Sequence, residues 1–285
     1  MTTSDVRPGT DRVEHIMGMP IGIDVRDPHL DPGVLDRAFD WFRWVDSTFS
    51  TYTAGSQISR LNRGELTLSE AHEDVRVVLE RCEQLRFATN GYFDARAAFA
   101  YGEVGARVSG SSPWSIEPSG LVKGWSVDRA ARILDAAGAG NYCINAGGDI
   151  RVRGGALPQP YWRIGILHPI ERDQVAAVVQ AADLAIATSG AYARGDHIVD
   201  PHSGELPDGV LSVTIVGPDL ATADAYATAA FAMGEAGPAW TAQLIGAGYQ
   251  AMTILSDRRV LSTPDFPILP AQEREATERG GRSGR

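Results

Sequence analysis

Residues 125–155, WSVDRAARILDAAGAGNYCINAGGDIRVRGG, contain the patterns that decide the fold class. The first half, 125–140, predicts a helix that ends in small residues. The second half, 141–155, has two β-type runs around a Gly-Gly turn, which predicts a hairpin or a bulged strand pair. A hairpin directly after a helix does not fit a repeated βαβ pattern.

The sequence on both sides alternates helix and strand patterns without internal repeats. Upstream, a strand is predicted at 14–26 and helices at 31–50 and 73–91. The downstream predictions are strands at 162–169, 184–190 and 211–217 and an Ala-rich helix at 221–234. Because strand patterns outnumber βαβ units and no GxGxxG follows a first strand, the sequence predicts an α+β architecture and not a Rossmann fold.

The length of the chain and the composition of its two ends indicate the domain organisation. A chain of 285 residues suits one large domain or two small ones. Residues 1–13 are polar and predicted to be flexible, and residues 271–285 are charged and Gly-rich, which predicts a disordered tail. We therefore expect one globular unit over residues 14–270.

Charge and hydropathy exclude several classes of protein. A net charge of −10 and a pI near 5.1 argue against nucleic-acid binding, which needs a basic face. No stretch approaches the roughly 20 apolar residues of a membrane span, and the first residues lack an apolar signal region. Cys82 and Cys143 show no CxxC spacing and are interpreted as buried thiols. Together these features predict a cytoplasmic protein.

Lys123 is the only lysine in a chain with 25 arginines, and it lies in the run EPSGLVKGWSVDRA (117–130). The lysine ammonium is a compact point charge that can pair with a phosphate or a carboxylate. The alternative is codon preference, because a high-GC genome favours arginine and a single lysine can be left over.

A pair of oxygen donors is predicted on the Ala-rich helix. Asp224 and Thr228 are four residues apart in TADAYAT (222–228) and therefore share one helical face. A carboxylate and a hydroxyl one turn apart suit Mg²⁺ better than a soft metal. The alternative is that Asp224 favours the start of the helix while Thr228 packs or bonds to the backbone.

The loop HIVDPHSG (197–204) contains His197, Asp200 and His202. A histidine in a polar turn can act as a general base near neutral pH. The alternative is turn chemistry alone, since Asp-Pro and Ser-Gly are ordinary loop formers.

Three further stretches offer ligand contacts. Asp94 follows two aromatic residues in TNGYFDA (89–95), and the glycines of NAGGD (145–149) allow backbone amides to approach a ligand. Tyr52 offers a face on which a flat heterocycle can stack. The alternatives are a plain turn, a Gly-Gly hairpin and a partly buried core aromatic, respectively.

Eight motifs in a fixed order resemble the ApbE family, the FAD:protein FMN transferases. The motifs are MGMP (17–20), STYTAGSQISRLN (50–62), TNGYFDA (89–95), PSGLVKGWSVD (118–128), NAGGD (145–149), ATSG (187–190), HIVDPHSG (197–204) and TADAYAT (222–228). The resemblance extends from about residue 14 to residue 265. It implies a T-fold-related single globular unit, with a mixed, largely antiparallel sheet flanked by helices.

The resemblance also implies an activity. Such an enzyme uses Mg²⁺ to move the FMN portion of FAD onto a threonine or serine of a target flavoprotein, and it releases AMP. The acceptor would carry a short flavinylation motif rich in Asp, Ser and Thr. Two other functions stay open, namely hydrolysis of FAD to FMN and AMP at the same site, and FAD binding by a carrier without turnover.

By the same resemblance, specific residues receive roles. The residues that would contact FAD are Met17, Tyr52, Tyr92, Phe93, Asp94, Glu117, Lys123 and Ile198. The metal would be held by the side chains of Asp224 and Thr228 and by backbone oxygens at Gly120 and Ala227. The catalytic residues would be Asp224 and His197, of which His197 matches a base for the incoming hydroxyl.

The sequence departs from the family pattern at two places. Glu117-Pro118 stands where the family usually has Asp-Leu, so the carboxylate reaches one methylene further and Pro118 lacks a backbone donor. The export signal and lipobox cysteine that are common in periplasmic members are also missing. This second departure fits a cytoplasmic version, a separately exported version or a trimmed N-terminus.

Overall fold

The computed structural model describes residues 9–31, 33–96, 115–171, 173–190 and 198–269. The helices are α1 (Gly33–Phe49), α2 (Gln57–Asn62), α3 (Glu73–Ala88), α4 (Ser119–Ala136), α5 (Leu220–Ala232) and α6 (Gly237–Thr241). The strands are β1 (Thr10–Ile16), β2 (Met19–Val25), β3 (Tyr142–Ala146), β4 (Asp149–Arg153), β5 (Trp162–Leu167), β6 (Val175–Ala181), β7 (Leu184–Gly190), β8 (Val210–Gly217), β9 (Gln250–Leu255) and β10 (Val260–Ser262).

Two antiparallel sheets form the β part of the fold. The larger sheet has the strand order β1-β2-β3-β4-β7-β8-β9-β10, and every neighbouring pair in it is antiparallel. Strands β5 and β6 form a separate two-stranded sheet. This arrangement confirms the predicted α+β class with a largely antiparallel sheet.

Both faces of the central strands are covered. On β7, Ala185 and Ala187 belong to the core cluster that includes α1, α4 and α5, whereas Ile186 packs with the residues of β5 and β6. The same division explains why β8 is almost continuously apolar and buried. The helices therefore lie on one face of the large sheet, and the small sheet lies on the other.

The β3–β4 hairpin places an acidic residue at the start of a central strand. Ala146 pairs with Asp149, and the two intervening glycines have positive φ angles of 60° at Gly147 and 103° at Gly148. Such angles strain residues that carry a Cβ, so the turn depends on glycine. The predicted hairpin is confirmed, and its turn fixes the position of Asp149.

Helices α4 and α5 pack closely together. A Cβ at Gly124 would lie 2.5 Å from the backbone oxygen of Leu220, so this contact needs glycine. The carboxylate of Asp128 on α4 accepts hydrogen bonds from the backbone N–H groups of Leu220, at 3.0 and 2.9 Å, and Ala221, at 2.9 Å. These donors are among those that a helix start leaves unpaired, so α4 caps α5 and fixes its position.

Some element boundaries differ from the sequence prediction. The single strand predicted at 14–26 is a hairpin that turns at Met17 and Gly18, and β1 starts at Thr10, inside the segment predicted to be flexible. Helix α4 starts at Ser119 and not at residue 125, because tertiary packing outweighs the low helix propensity of its glycines. Strands β6, β9 and β10 were not predicted, and the predicted tail at 271–285 lies outside the described residues.

Cys82 is buried and Cys143 partly buried, both are free thiols, and burial raises the pKa of each to about 12. None of the helices in the described ranges is both long and apolar enough to cross a membrane.

Candidate active site

A cavity of about 1070 Å³ opens between the helices, the central strands of the large sheet and strand β5. Its lining comes from α4, α5, the β3–β4 turn, β5, β7 and the loops around Tyr52, Tyr92 and Ile198. The volume is slightly above the roughly 300–1,000 Å³ that is usual for sites of small molecules and cofactors. The cavity is therefore large enough for a ligand of the size of a cofactor.

Three charged side chains meet at the base of this cavity. The ammonium of Lys123 on α4 contacts Asp149 Oδ2, and it lies 3.5 Å from Asp224 Oδ1 on α5. The side chains of Asp149 and Asp224 are only 3% and 5% exposed. Buried charges are costly unless they are paired, so this cluster depends on the geometry that brings the two helices and the hairpin together.

Two hydroxyl groups line the same cavity as the carboxylate of Asp224. Thr228 follows one turn later on α5, and its Oγ1 lies 3.4 Å from Oγ of Ser189 at the end of β7. Both Ser189 and Thr228 line the cavity. The predicted helical face of Asp224 and Thr228 is therefore directed at the cavity and not at the core.

The donor chemistry of this region suits a hard cation. Asp224, Thr228 and Ser189 present oxygen atoms only, which Mg²⁺ prefers over sulfur or imidazole ligands. In the described part of the chain, no group of three or more His, Cys, Asp and Glu side chains has the arrangement of a metal site. A cation would therefore rely on hydroxyl and backbone oxygens beside Asp224, and the residues present fit that requirement.

Aromatic side chains line the cavity as well. Tyr52 is 96% exposed, so its ring has no part in the core. Phe93 is buried and lies against α4, where a Cβ at Gly120 would be 3.2 Å from Phe93 Cε2. Tyr92 packs edge-on against His202, with 4.6 Å between the ring centroids. The exposed Tyr52 ring is available for stacking, whereas Phe93 is fixed.

Glu117 is held at the entrance of α4. Its Oε2 accepts a hydrogen bond of 2.7 Å from the Thr51 hydroxyl, and its Oε1 accepts one of 3.1 Å from the backbone N–H of Ser119. Pro118 occupies the N-cap position without a side-chain cap of its own. The longer glutamate thus caps the helix beside Pro118, which explains how this departure from the family pattern is accommodated.

Most of the predicted site residues line this one cavity. They are Tyr52, Tyr92, Phe93, Asp94, Glu117, Gly120, Lys123, Ile198, Asp224 and Thr228. Met17 lies at the β1–β2 turn and packs against the core, and Ala227 is fully buried, so neither is among the lining residues. His197 lies outside the described residues.

Several lining residues did not emerge from the sequence as site residues. Asp149, Thr188 and Ser189 line the cavity, as do Ile164 to Leu167 on β5. The NAGGD motif predicted ligand contacts through its glycines only. The acid directly after the turn, Asp149, was the feature of the sequence that could have identified this site residue. Strand β5 carries no such signal, because its alternating apolar residues are typical of any packed strand.

Comparison with solved structures defines the class of protein. The flavin transferase ApbE from Vibrio cholerae has a TM-score of 0.78 at 25% identity, over 92% of this chain and 100% of that one. The ApbE protein from Thermotoga maritima has a TM-score of 0.79 at 24% identity, over 90% and 98% of the two chains. The fold is therefore that of the ApbE flavin transferases.

Sequence comparison identifies the family. The model of the ApbE family matches residues 17–113 and 101–252, and the chain belongs to this family. The FAD:protein FMN transferase of Vibrio cholerae is 37% identical over 130 residues, which are 42% of this chain and 39% of that protein. That of Rhodobacter capsulatus is 34% identical over 173 residues, or 57% and 32%. The matched segments thus span about a third to two fifths of these curated relatives.

Proposed function

We propose that this protein transfers the FMN portion of FAD to a threonine or serine hydroxyl of an acceptor flavoprotein, in a Mg²⁺-dependent reaction that releases AMP. One observation carries the proposal. The ion pair of Lys123 with the buried Asp224 and the exposed ring of Tyr52 belong to the same cavity. The flat ring system of a ligand could stack on Tyr52, and its pyrophosphate could pair with the ammonium of Lys123. The curated relatives bear the name FAD:protein FMN transferase.

The proposed reaction exchanges one phosphorus–oxygen bond for another. The acceptor hydroxyl oxygen attacks the phosphorus of the FMN half, and the bond from that phosphorus to the bridging oxygen breaks. AMP leaves with the bridging oxygen, and the flavin becomes a phosphoester of the acceptor. The hydroxyl proton passes to a base, for which we propose His197.

Some residues of the cavity would bind the flavin ring, and others would compensate the charge of the phosphates. Tyr52 would stack on the isoalloxazine ring. Lys123 would offset the negative charge of the phosphates, since phosphoryl transfer is helped mainly by positioning and electrostatics. The other proposed FAD contacts are Met17, Tyr92, Phe93, Asp94, Glu117 and Ile198.

We propose that Mg²⁺ is held by the side chains of Asp224 and Thr228 and by backbone oxygens of Gly120 and Ala227. A bound Mg²⁺ would neutralise phosphate charge at the bond that breaks. Asp224 is suited to this task because it is a buried carboxylate one helical turn before Thr228, on the same helical face.

The test is incubation with FAD and Mg²⁺, with and without a candidate acceptor domain. Mass spectrometry should show a gain of FMN on the acceptor, together with release of AMP. An acceptor whose target threonine is replaced by valine is the matched control and should stay unmodified. AMP release at a rate that the acceptor does not raise would indicate hydrolysis, and FAD binding without AMP would indicate a carrier.

A further inference from the structure

The ammonium of Lys123 lies between two carboxylates with different surroundings, Asp149 on β4 and Asp224 on α5. We propose that Asp149 is a positioning residue that holds the Lys123 ammonium, so that the ammonium does not displace a divalent cation from Asp224. This proposal rests on the proposed function, in which Asp224 binds Mg²⁺.

Asp149 is suited to this role because it is fixed in the sheet. It begins β4 directly after the Gly147–Gly148 turn, and its Oδ1 accepts a hydrogen bond of 3.2 Å from the backbone N–H of Thr188 on β7. Its other oxygen, Oδ2, contacts Lys123. One oxygen is thus anchored to the backbone, and the other defines where the ammonium sits.

The ammonium of Lys123 can pair with either of two carboxylates. Its four-carbon stem is flexible, and both carboxylates are within ion-pair distance of its Nζ. An ammonium and a divalent cation repel each other and compete for the same carboxylate, and the competition is strong where water is largely excluded. The closer Lys123 approaches Asp224, the weaker the binding of a cation there.

Neutralising Asp149 should therefore weaken cation binding at Asp224 by way of Lys123. Without the charge of Asp149, the ammonium pairs with Asp224 and occupies the place of the cation. Asn at position 149 keeps an oxygen that can accept the Thr188 N–H, so the fold of the hairpin is retained. A substitution on β4 would thus change metal binding on α5, although residue 149 is not itself a ligand.

The experiment is a titration of the full chain with Mn²⁺ in the absence of flavin, followed by calorimetry and by the electron paramagnetic resonance of free Mn²⁺. Asp149→Asn should raise the dissociation constant at least about tenfold, which corresponds to about 1.4 kcal/mol. Lys123→Met should bind Mn²⁺ at least as tightly as the wild type. In the double variant, Asp149→Asn should have little further effect, because the residue through which it acts is gone.

The double-mutant cycle separates this proposal from a direct effect of charge. Equal weakening by Asp149→Asn with and without Lys123 would mean that Asp149 acts through its own charge, and the proposal would be wrong. Weaker binding by Lys123→Met alone would also overturn it, and this result does not depend on the folding of the Asp149 variant. Asp257→Asn is the matched control, because it removes an exposed partner of Arg259 that is not among the lining residues of the cavity and should leave Mn²⁺ binding unchanged.

The outcomes for this proposal and for the transfer function are distinct. If the wild type does not bind Mn²⁺, the metal role of Asp224 fails, and the positioning role of Asp149 fails with it. If Mn²⁺ binds but the two substitutions act independently, only the positioning role fails. Coupling in the titration without any flavin transfer would support the positioning role and overturn the transfer function.

Discussion

Gly124 on α4 faces the backbone carbonyl oxygen of Leu220 at the start of α5, and a Cβ on Gly124 would lie 2.5 Å from that oxygen. The next residue in the N-terminal direction is Lys123, and Asp224 is one turn beyond Leu220. The close contact between the two helices therefore sets the separation of the charged groups in the cavity.

Gly124→Ala should destabilise the fold, because the neighbouring atoms are backbone and can move only if a helix moves. Overpacking of this kind costs about 1–3 kcal/mol. Urea unfolding should show the loss as a lower midpoint. The control is Gly246→Ala, where a Cβ meets nothing within 4 Å. Equal midpoints for the two variants would contradict the account of the helix contact.

Asp128 should make stability depend on pH. Burial raises the pKa of this carboxyl from 3.8 to about 6, although the backbone N–H groups of Ala221 and Leu220 act in the opposite direction. Between about pH 4 and pH 6 the folded protein binds a proton that the unfolded chain has released, so stability falls as the pH rises through that window. The full effect corresponds to about 3 kcal/mol.

Asp128→Asn is the reference for this prediction, because it does not titrate while all other groups stay the same. Urea unfolding of both proteins at several pH values between 4.5 and 7 measures the difference. The wild type should lose stability relative to the variant as the pH rises. A difference that is constant over the range would contradict the raised pKa of Asp128.

Asp224→Ala should abolish Mg²⁺-dependent product formation, with a loss of at least about 100-fold in turnover. The reason is the removal of the carboxylate proposed to hold the metal. AMP release and FMN transfer are measured at saturating FAD and several Mg²⁺ concentrations, with Asp257→Asn as the control. Full activity of the Asp224 variant would exclude the metal assignment.

Lys123→Met should weaken the binding of FAD or its turnover, by about 10- to 100-fold, which is the range for the loss of a hydrogen bond to a charged group. Methionine keeps the length of the side chain and removes the charge. Fluorescence quenching of the flavin gives the dissociation constant, and AMP release gives kcat. If neither quantity changes, Lys123 has no role toward FAD.

Tyr52→Ala should weaken FAD binding without loss of stability. Stacking of a heterocycle on an aromatic side chain is worth about 1–3 kcal/mol, whereas the 96% exposed ring contributes nothing to the core. Tyr52→Phe keeps the ring and should bind like the wild type. Flavin titrations and thermal unfolding test both parts, and equal affinity of the Ala and Phe variants would argue against stacking.

The elements with strong local patterns were predictable from the sequence. Helix α1 was predicted as 31–50 and spans Gly33–Phe49, because its apolar residues recur at helical spacing. The β3–β4 hairpin was predictable from its Gly-Gly turn. The start of α4 was not, since Gly120 and Gly124 lower the helix propensity, and only the packing against Phe93 and Leu220 shows why glycine is needed there.

Individual residues of the candidate site could be predicted from the sequence, whereas the contacts between them could not. The face shared by Asp224 and Thr228 follows from helical periodicity alone. The contact between Lys123 and Asp149 joins a helix to a strand and depends on how the hairpin packs, so no local pattern reports it. Resemblance to a family supplied the remaining residues without giving their geometry.

The solitary lysine also gives the chain an unusual chemical property. Among the side chains of this sequence, only Lys123 Nζ offers a primary amine to an amine-directed reagent. The side chain of Lys123 is 19% exposed and belongs to the cavity lining. Covalent labelling of lysine, which usually decorates a protein surface at many points, is in this chain a measure of whether the cavity is occupied.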